Sequence, residues 1–427
     1  MSELRLVAER AELVSLVERL AGAAELALDT EFVWERTYRP LLAVVQVGAR
    51  LPTGQVVVAA VDALALDLGP LLELLAEPGR GKLLHAGRLD LAILHRLLGR
   101  PLSPVFDTQR AAALVGFGGQ IGYGALVEQL TGRRLEKGEQ WSDWTRRPLR
   151  PEQLSYALDD VRHLPDVAAA LRGLLDQSGR AAWAAEEMQD LHDPSSWADP
   201  APGEEWLKVK AARTLPPRAQ AVLREVCVWR EESARARDLR PGFVVKDQVL
   251  LELARRPPRS LDALREVRGL HPGEVKRGGA ELLAALRRGE RAEPPPQPPR
   301  KRRMDVSGAV DLLKAWLGQK AAAEGVASEV LATTAELTSL ASSHARGDPP
   351  PGLPVLSGWR RQLVGEDLLR LLRGEVALQV QPRARGLRAV PPDAAPDGAA
   401  SGDELEEELE PESEPDDQPE DEGDPGE

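Results

Sequence analysis

The chain has 427 residues, with 42% hydrophobic and 29% charged residues, and its length suggests two to three domains. The formal charge of −13 belongs to one end: residues 393–427 hold 17 of the 68 acids and no Lys or Arg, so the first 392 residues carry 51 acids against 55 bases, a net +4. A single cysteine excludes an intrachain disulfide, no apolar run is long enough to span a bilayer, and the charged N-terminus lacks the apolar core of a signal peptide; the expectation is a soluble cytoplasmic protein with no membrane association.

Residues 1–200 read as an α/β unit. An amphipathic first helix precedes three strand candidates, ELALDTEF, LLAVVQVGA and QVVVAAVDA, whose short separations predict antiparallel pairing. Strands and helices then alternate. LGPLLELLAEP is a helix, KLLHA a strand, RLDLAILHRLLG a helix, and PVFDTQRAAALVG a strand running into a helix. PEQLSYALDDVRHLPDVAAALRGLLDQ is a long amphipathic helix with an irregularity at Pro165. A mixed sheet flanked by helices is the economical architecture.

Residues 205–290 are nearly all helical by periodicity, and Cys227, in AVLREVCVWREE, reads as a small core residue. Residues 291–304, with EPPPQPPRKRR, form a Pro-rich and then basic linker. Residues 305–380 are helical again and repeat the rhythm of the second unit: a long Trp-containing helix, two short helices and a closing helix near a Gly. Residues 381–427 are rich in Pro, Gly, Asp and Glu without periodicity and are expected to be a disordered acidic tail with a solubilising role. Only 9 of the 55 bases are Lys; Arg suits phosphate, but genomic base composition also explains the bias and carries more weight.

Several carboxylates sit in awkward places. Asp29 and Glu31 fall two apart at the end of an apolar strand, so they share a face, where like charges repel and burial is costly. Asp90 lies near the start of a helix, and Tyr156 and Asp160 are four apart on another. Each has an ordinary explanation alone: a turn or cap at DTE, a first-turn acid, a core Tyr, a solvated Asp159–Asp160 pair. If the four acids converge, divalent cations are the natural compensation. A pair of hard cations about 3.5–4 Å apart can clamp the attacking and leaving oxygens of a phosphodiester.

The segments DTEF–(x5)–Y–x–P, LLHAGRLDL, FDTQ, SDWTRRPL and YALDD, in that order, resemble ribonuclease D of the DEDD superfamily of 3′→5′ exonucleases. The resemblance covers residues 20–170 closely, and the helical units behind it look like HRDC domains. It implies an RNase H-like mixed sheet flanked by helices, two small all-α HRDC-like domains and the acidic tail. It also implies two divalent ions, Mg²⁺ or Mn²⁺, with Asp29, Glu31 and Asp160 holding the first. Asp29 would also touch the second, and Asp90 would position that ion through water. Tyr156 would orient the attacking water, since an unperturbed phenol is a poor base near neutrality. Ser155 stands five before Asp160, where a histidine marks the other subclass, so the chain fits the tyrosine subclass. Leu89 stands where relatives often carry a second acid, which leaves Asp90 intact.

His85 and His163 flank the motifs, but the oxygen site is complete without them, and Asp107 reads as a helix cap. Trp141 and Trp144 read as packing. Arg146 and Arg147 beside them are candidate RNA contacts, as are Arg268, Lys276 and Arg277 in the Gly-rich RGLHPGEVKRGG and the RKRR run at 300–303. The implied activity is a metal-dependent 3′→5′ exoribonuclease releasing nucleoside 5′-monophosphates from the 3′ ends of tRNA precursors and other small RNAs, with no obligate protein partner. Its rivals are a 3′→5′ DNA exonuclease and an inactive RNA-binding protein.

Overall fold

The computed structural model describes residues 6–393 apart from 36, 137, 140–141, 194, 196–202, 297–303 and 382–385. Trp141, the RKRR run and the acidic run from 394 therefore lie outside the described residues. The chain divides into two compact units, Met1–Glu366 and Asp367–Glu427.

The first unit opens with β1 (Leu6–Val7), α1 (Arg10–Leu20), β2 (Glu25–Val33), β3 (Leu41–Arg50) and β4 (Val56–Asp62). β2, β3 and β4 form the expected antiparallel meander, with Ala27 opposite Gly48, Asp29 opposite Gln46 and Glu31 opposite Val44. Then α2 (Gly69–Leu75), β5 (Gly81–Leu84), α3 (Arg88–Leu98) and β6 (Val105–Asp107) add two parallel strands beside β2. β1, too short to read from periodicity, pairs parallel with β4 and closes the far edge. The order β1-β4-β3-β2-β5-β6 is the expected mixed sheet, with β2 near its middle. β3 is buried at every position from Leu42 to Ala49, so both of its faces are covered.

α4 (Thr108–Ala113), α5 (Tyr123–Thr131), α6 (Pro151–Arg162), α7 (Leu164–Gln177), α8 (Ala181–Glu187) and α9 (Gln189–His192) complete the α/β part. The helix expected over 151–177 is two helices. They break at His163, because Pro165 at the second position of α7 has no N–H to continue the ladder. α6 packs Ala157 and Leu158 with Ala43, Val44 and Ala60 of the meander, and Val161 with Ala27 and Leu83. A Cβ on Gly48 would stand 2.9 Å from the Val161 carbonyl oxygen, so the glycine sets how near α6 lies to the sheet.

The next helices are α10 (Pro217–Ala236), α11 (Pro241–Val244), α12 (Asp247–Arg255), α13 (Leu261–Arg265) and α14 (Pro272–Arg291). They enclose their own core around Val226, Trp229, Leu250 and Leu283, and Cys227 lies fully buried in it, as expected. RGLHPGEVKRGG is a turn only in its first half. Gly269 takes φ 86°, but Gly278 and Gly279 lie inside α14, where Cβ atoms would stand 3.3 Å from the Trp229 ring and 2.8 Å from Leu261. Gly278 takes non-helical angles (φ −136°, ψ 17°), so the pair seats α14 against Trp229 and Leu261 at a kink.

α15 (Ser307–Glu324), α16 (Ser328–Leu331) and α17 (Thr334–Arg346) follow. Thr333 and Glu336 form a capping box that starts α17 and separates it from α16, which gives two helices here as expected. α18 (Gly358–Arg360), a π-turn at Arg361–Gly365 and α19 (Glu366–Leu372) end the helical series. In the second unit β7 (Ala377–Val380) pairs antiparallel with β8 (Leu387–Val390). This corrects the expectation of disorder from residue 381: LRAV alternates weakly with polar residues, too briefly to register as a strand without its partner ALQV. Among the described residues no helix is long and apolar enough to cross a membrane.

Candidate active site

The site stands where α6 crosses the end of β2. Asp29 and Glu31 share one face of β2, and Tyr156 and Asp160 share one face of α6. One carboxylate oxygen from each of Asp29, Glu31 and Asp160 lies within 4.8 Å of the others. Asp90, buried in the first turn of α3, stands outside that trio, and its Oδ1 accepts a hydrogen bond from the Thr30 hydroxyl. The structure thus brings three of the four acids together and sets the fourth alongside. Tyr156 donates a hydrogen bond to Asp160, and its ring tilts against the buried Trp144 at 6.2 Å between centroids.

Charge and burial oppose ionisation here. Burial, then the charges of Asp90, Asp160 and Glu31, raise the Asp29 carboxyl well above the usual range. Burial, then Asp160 and Asp90, push Glu31 up to about 9. Burial lifts Asp160 to about 7 against the lowering bond from Tyr156, with Asp159 adding to the rise. Burial also raises Asp90 against its bond from Thr30. Oxygen-only donors, close together and each destabilised as an anion, suit a hard divalent cation, which would replace the protons and remove the repulsion. Gln46, opposite Asp29 on β3, is fully buried with neither amide atom hydrogen-bonded, which adds a spare neutral polar group on the same face.

Asp107 caps α4 as expected, accepting from Gln109 N at 2.9 Å and Arg110 N at 3.3 Å, and it does more. It also accepts from Ala86 N at 3.1 Å and Gly87 N at 3.0 Å, pinning the turn from which α3 delivers Asp90. That turn needs its glycine: a Cβ on Gly87 would fall 2.4 Å from Leu84. Both nitrogens of His85 are engaged, Nδ1 with Thr108 Oγ1 at 2.9 Å and Nε2 with the Ile121 carbonyl at 3.0 Å, which suits a brace and not a ligand. His163 is buried at the α6–α7 break, 3.4 Å from Arg133. Tyr123 donates to the Asp159 carbonyl at 3.3 Å and packs on His85.

Thr30, Tyr123, Gln46 and the second task of Asp107 escaped sequence reasoning. Gln46 had a signal, a lone amide within the apolar LLAVVQVGA. The others act on partners remote in sequence.

Arg147 donates to Asp62 Oδ2 at 2.6 Å and Oδ1 at 2.7 Å, and to the carbonyls of Trp144, Arg146 and Ala43. With its donors engaged by protein groups, it suits a clamp holding the 142–149 segment on the meander and not the RNA contact expected of it. Burial works upward on the Asp62 carboxyl, but the bonds from Arg147 and Leu64 N and the Arg147 charge hold it below its usual range. Arg146 is exposed and 3.3 Å from Asp143. Arg268, Lys276 and Arg277 are exposed around the start of α14, with Arg277 4.0 Å from Glu274.

A family model described as 3′-5′ exonuclease matches residues 4–176, and one described as the HRDC domain matches residues 219–286. Ribonuclease D of Granulibacter bethesdensis is 40% identical over 384 residues, covering 88% of this chain and 94% of that protein. Ribonuclease D of Nitrobacter hamburgensis is 39% identical over 382 residues, covering 88% and 97%. The crystal structure of Escherichia coli RNase D, an exoribonuclease involved in structured RNA processing, matches with a TM-score of 0.75 at 31% identity, over 86% of this chain and 98% of that one. The exonuclease fold is a metal-dependent one, and the Asp29–Glu31–Asp160 trio supplies the acidic cluster it calls for. With relatives matched over nearly their whole length, and an exonuclease match followed by an HRDC match along the chain, this chain belongs to the ribonuclease D family and is a 3′→5′ exoribonuclease.

Proposed function

We propose that the chain trims the 3′ ends of tRNA precursors and other small structured RNAs, releasing nucleoside 5′-monophosphates with two Mg²⁺ or Mn²⁺ ions. The observation that carries this is the convergence of three carboxylates from β2 and α6, with Tyr156 bonded to one of them.

Asp29, Glu31 and Asp160 would hold the first cation, Asp29 would also serve the second, and Asp90 would help hold that second ion. When bound, the pair neutralises charge at the scissile phosphate, activates water and stabilises the departing 3′ oxygen. Tyr156 presents its hydroxyl beside Asp160, where it orients the attacking water. Thr30 holds the Asp90 carboxylate, and Trp144 fixes the Tyr156 ring. The HRDC domain grips the RNA body, with Arg268, Lys276 and Arg277 meeting phosphates, and Arg146 does so nearer the acids. Residues 305–372 are a diverged second copy. The support is that α15 carries buried Trp316 as α10 carries Trp229, and that each is followed by a four-residue helix and then a longer one.

The test is a digestion time course on matched 5′-labelled RNA and DNA, with Mg²⁺, with Mn²⁺ and with chelator. A cation-dependent ladder shortening from the RNA 3′ end is expected. Asp29→Asn should abolish it with RNA still bound, and Tyr156→Phe should slow it about 100-fold or more. Equal or faster DNA digestion would overturn the RNA assignment.

A further inference from the structure

We propose that Trp34 is a stacking platform for a base of single-stranded RNA just upstream of the scissile bond, with Arg240 of the HRDC domain braced against its ring. This rests on the nuclease reading above and deepens it by naming how the strand is held.

β2 ends at Val33, and the segment from Trp34 to Pro40 leads into β3. Two aromatic residues in that segment meet the HRDC domain, and they differ. Tyr38 is half-buried against the helical core. Its backbone N–H donates to Asp238 Oδ1 at 3.1 Å, its hydroxyl accepts from Arg235 Nη2 at 3.2 Å, and the Arg235 guanidinium lies 5.4 Å over its ring. Tyr38 is an anchor with its polar groups satisfied.

Trp34 carries a guanidinium over its ring as well, that of Arg240 at 5.6 Å, but is 43% exposed. Phe243, 61% exposed, is tied to Arg240 through its own backbone N–H, which donates to the Arg240 carbonyl at 2.8 Å. Among the described residues these are the two aromatic side chains in the set of exposed large hydrophobics, and both stand at this seam.

A single exposed Trp needs no explanation. Three further facts point to a ligand. The cation already braces the ring, as in cation–π assistance to base stacking. Two exposed guanidinium groups here, Arg39 and Arg240, have no carboxylate within ion-pair distance among the described residues and can meet a phosphate, while Arg235 is offset by Glu231 and Glu205, and Asp238 and Glu35 are exposed acids beside them. Trp34 is also three residues beyond Glu31. At about 3.3 Å per residue its backbone stands about 10 Å from that of Glu31, so a base stacked there belongs to a nucleotide near the 3′ end.

The experiment uses the full chain and 5′-labelled RNAs with a single-stranded 3′ tail, carrying one abasic ribose at successive positions from the end. Binding is read in chelator, so the outcome does not depend on cleavage. Wild-type protein is expected to lose about tenfold in affinity for one abasic position and little for its neighbours. Trp34→Ala should bind intact RNA about tenfold more weakly and become indifferent to that same position, while Trp34→Phe keeps most of the discrimination. Arg240→Ala should lose part of it. Uniform affinity of wild-type protein across the abasic series overturns the platform, as does a Trp34→Ala loss that persists equally on every abasic RNA; the patch would then serve a protein contact. Cleavage is scored separately with Mg²⁺. A protein that shows the abasic dependence but shortens no RNA would sink the nuclease reading and leave the platform standing.

Discussion

At the scale of single residues, the site works against its own ionisation. Asp29, Glu31 and Asp160 all have raised carboxyl pKa values, with Glu31 near about 9 and Asp160 near about 7. An acid raised in the folded state binds its proton more tightly there than in the unfolded chain, so stability falls as pH rises from the ordinary carboxylate range through these values. Cation-free protein should therefore melt at progressively lower temperature between pH 5 and pH 9. Mg²⁺ should reverse the loss, by about 2.7 kcal/mol at about a hundred times its dissociation constant. Thermal melts in chelator and in Mg²⁺ across that range check both; a Tm that rises with pH in chelator would mean that the acids are not driven together. That Asp29, Glu31 and Asp160 converge, with Tyr156 and Asp90 beside them, was legible because DTEF, RLDL and YALDD are local strings with a family likeness. Thr30 carried no such signal for its bond to Asp90, since the partners lie 60 residues apart and meet only after β2 and α3 are placed.

At the scale of elements, one close approach controls the chemistry. α6 reaches the sheet over Gly48, and the same helix carries Tyr156 and Asp160. Gly48→Val would drive a branched side chain into the Val161 carbonyl. It should cost about 1–3 kcal/mol through overpacking. A displacement of α6 by about 1 Å should lower kcat about 100-fold. Denaturation midpoints and single-turnover rates separate the two effects, and unchanged kcat would show that α6 does not ride on this contact. The meander and most helices could be read from periodicity, since their alternation of apolar residues is long enough to specify a face. β1 and β8 could not, because two- and four-residue strands exist only by virtue of their partners. The kink at Gly278 was not legible for a related reason: a glycine that admits a neighbouring helix looks, in sequence, like one that makes a turn.

At the scale of the whole molecule, the first unit is bound by seams invisible in sequence. Trp359 stacks on Trp183 at 4.6 Å, and Glu187 accepts from Trp359 Nε1 at 2.9 Å and Arg360 Nη2 at 2.7 Å, joining groups more than 170 residues apart. Ala327 N–H reaches the Ala113 carbonyl at 3.1 Å beside them. Glu187→Ala leaves an indole N–H and a guanidinium without their acceptor and should cost about 1–3 kcal/mol. Limited proteolysis should then cut first within residues 305–366, ahead of the exonuclease core. Simultaneous cutting of both would show that this seam does not open by itself.

The Tyr38 anchor has a consequence for what the enzyme leaves behind. The strand that carries Asp29 and Glu31 runs directly into a segment fastened to the HRDC domain. If the HRDC domain holds the RNA body, as proposed above, this anchor ties the part that holds the RNA to the part that cuts its end. On that reading the tie acts as a ruler, and digestion of hairpin-tailed RNAs should halt with the same length of overhang, whatever the tail's sequence or starting length; overhangs that vary with starting length would show that the two parts are not so tied.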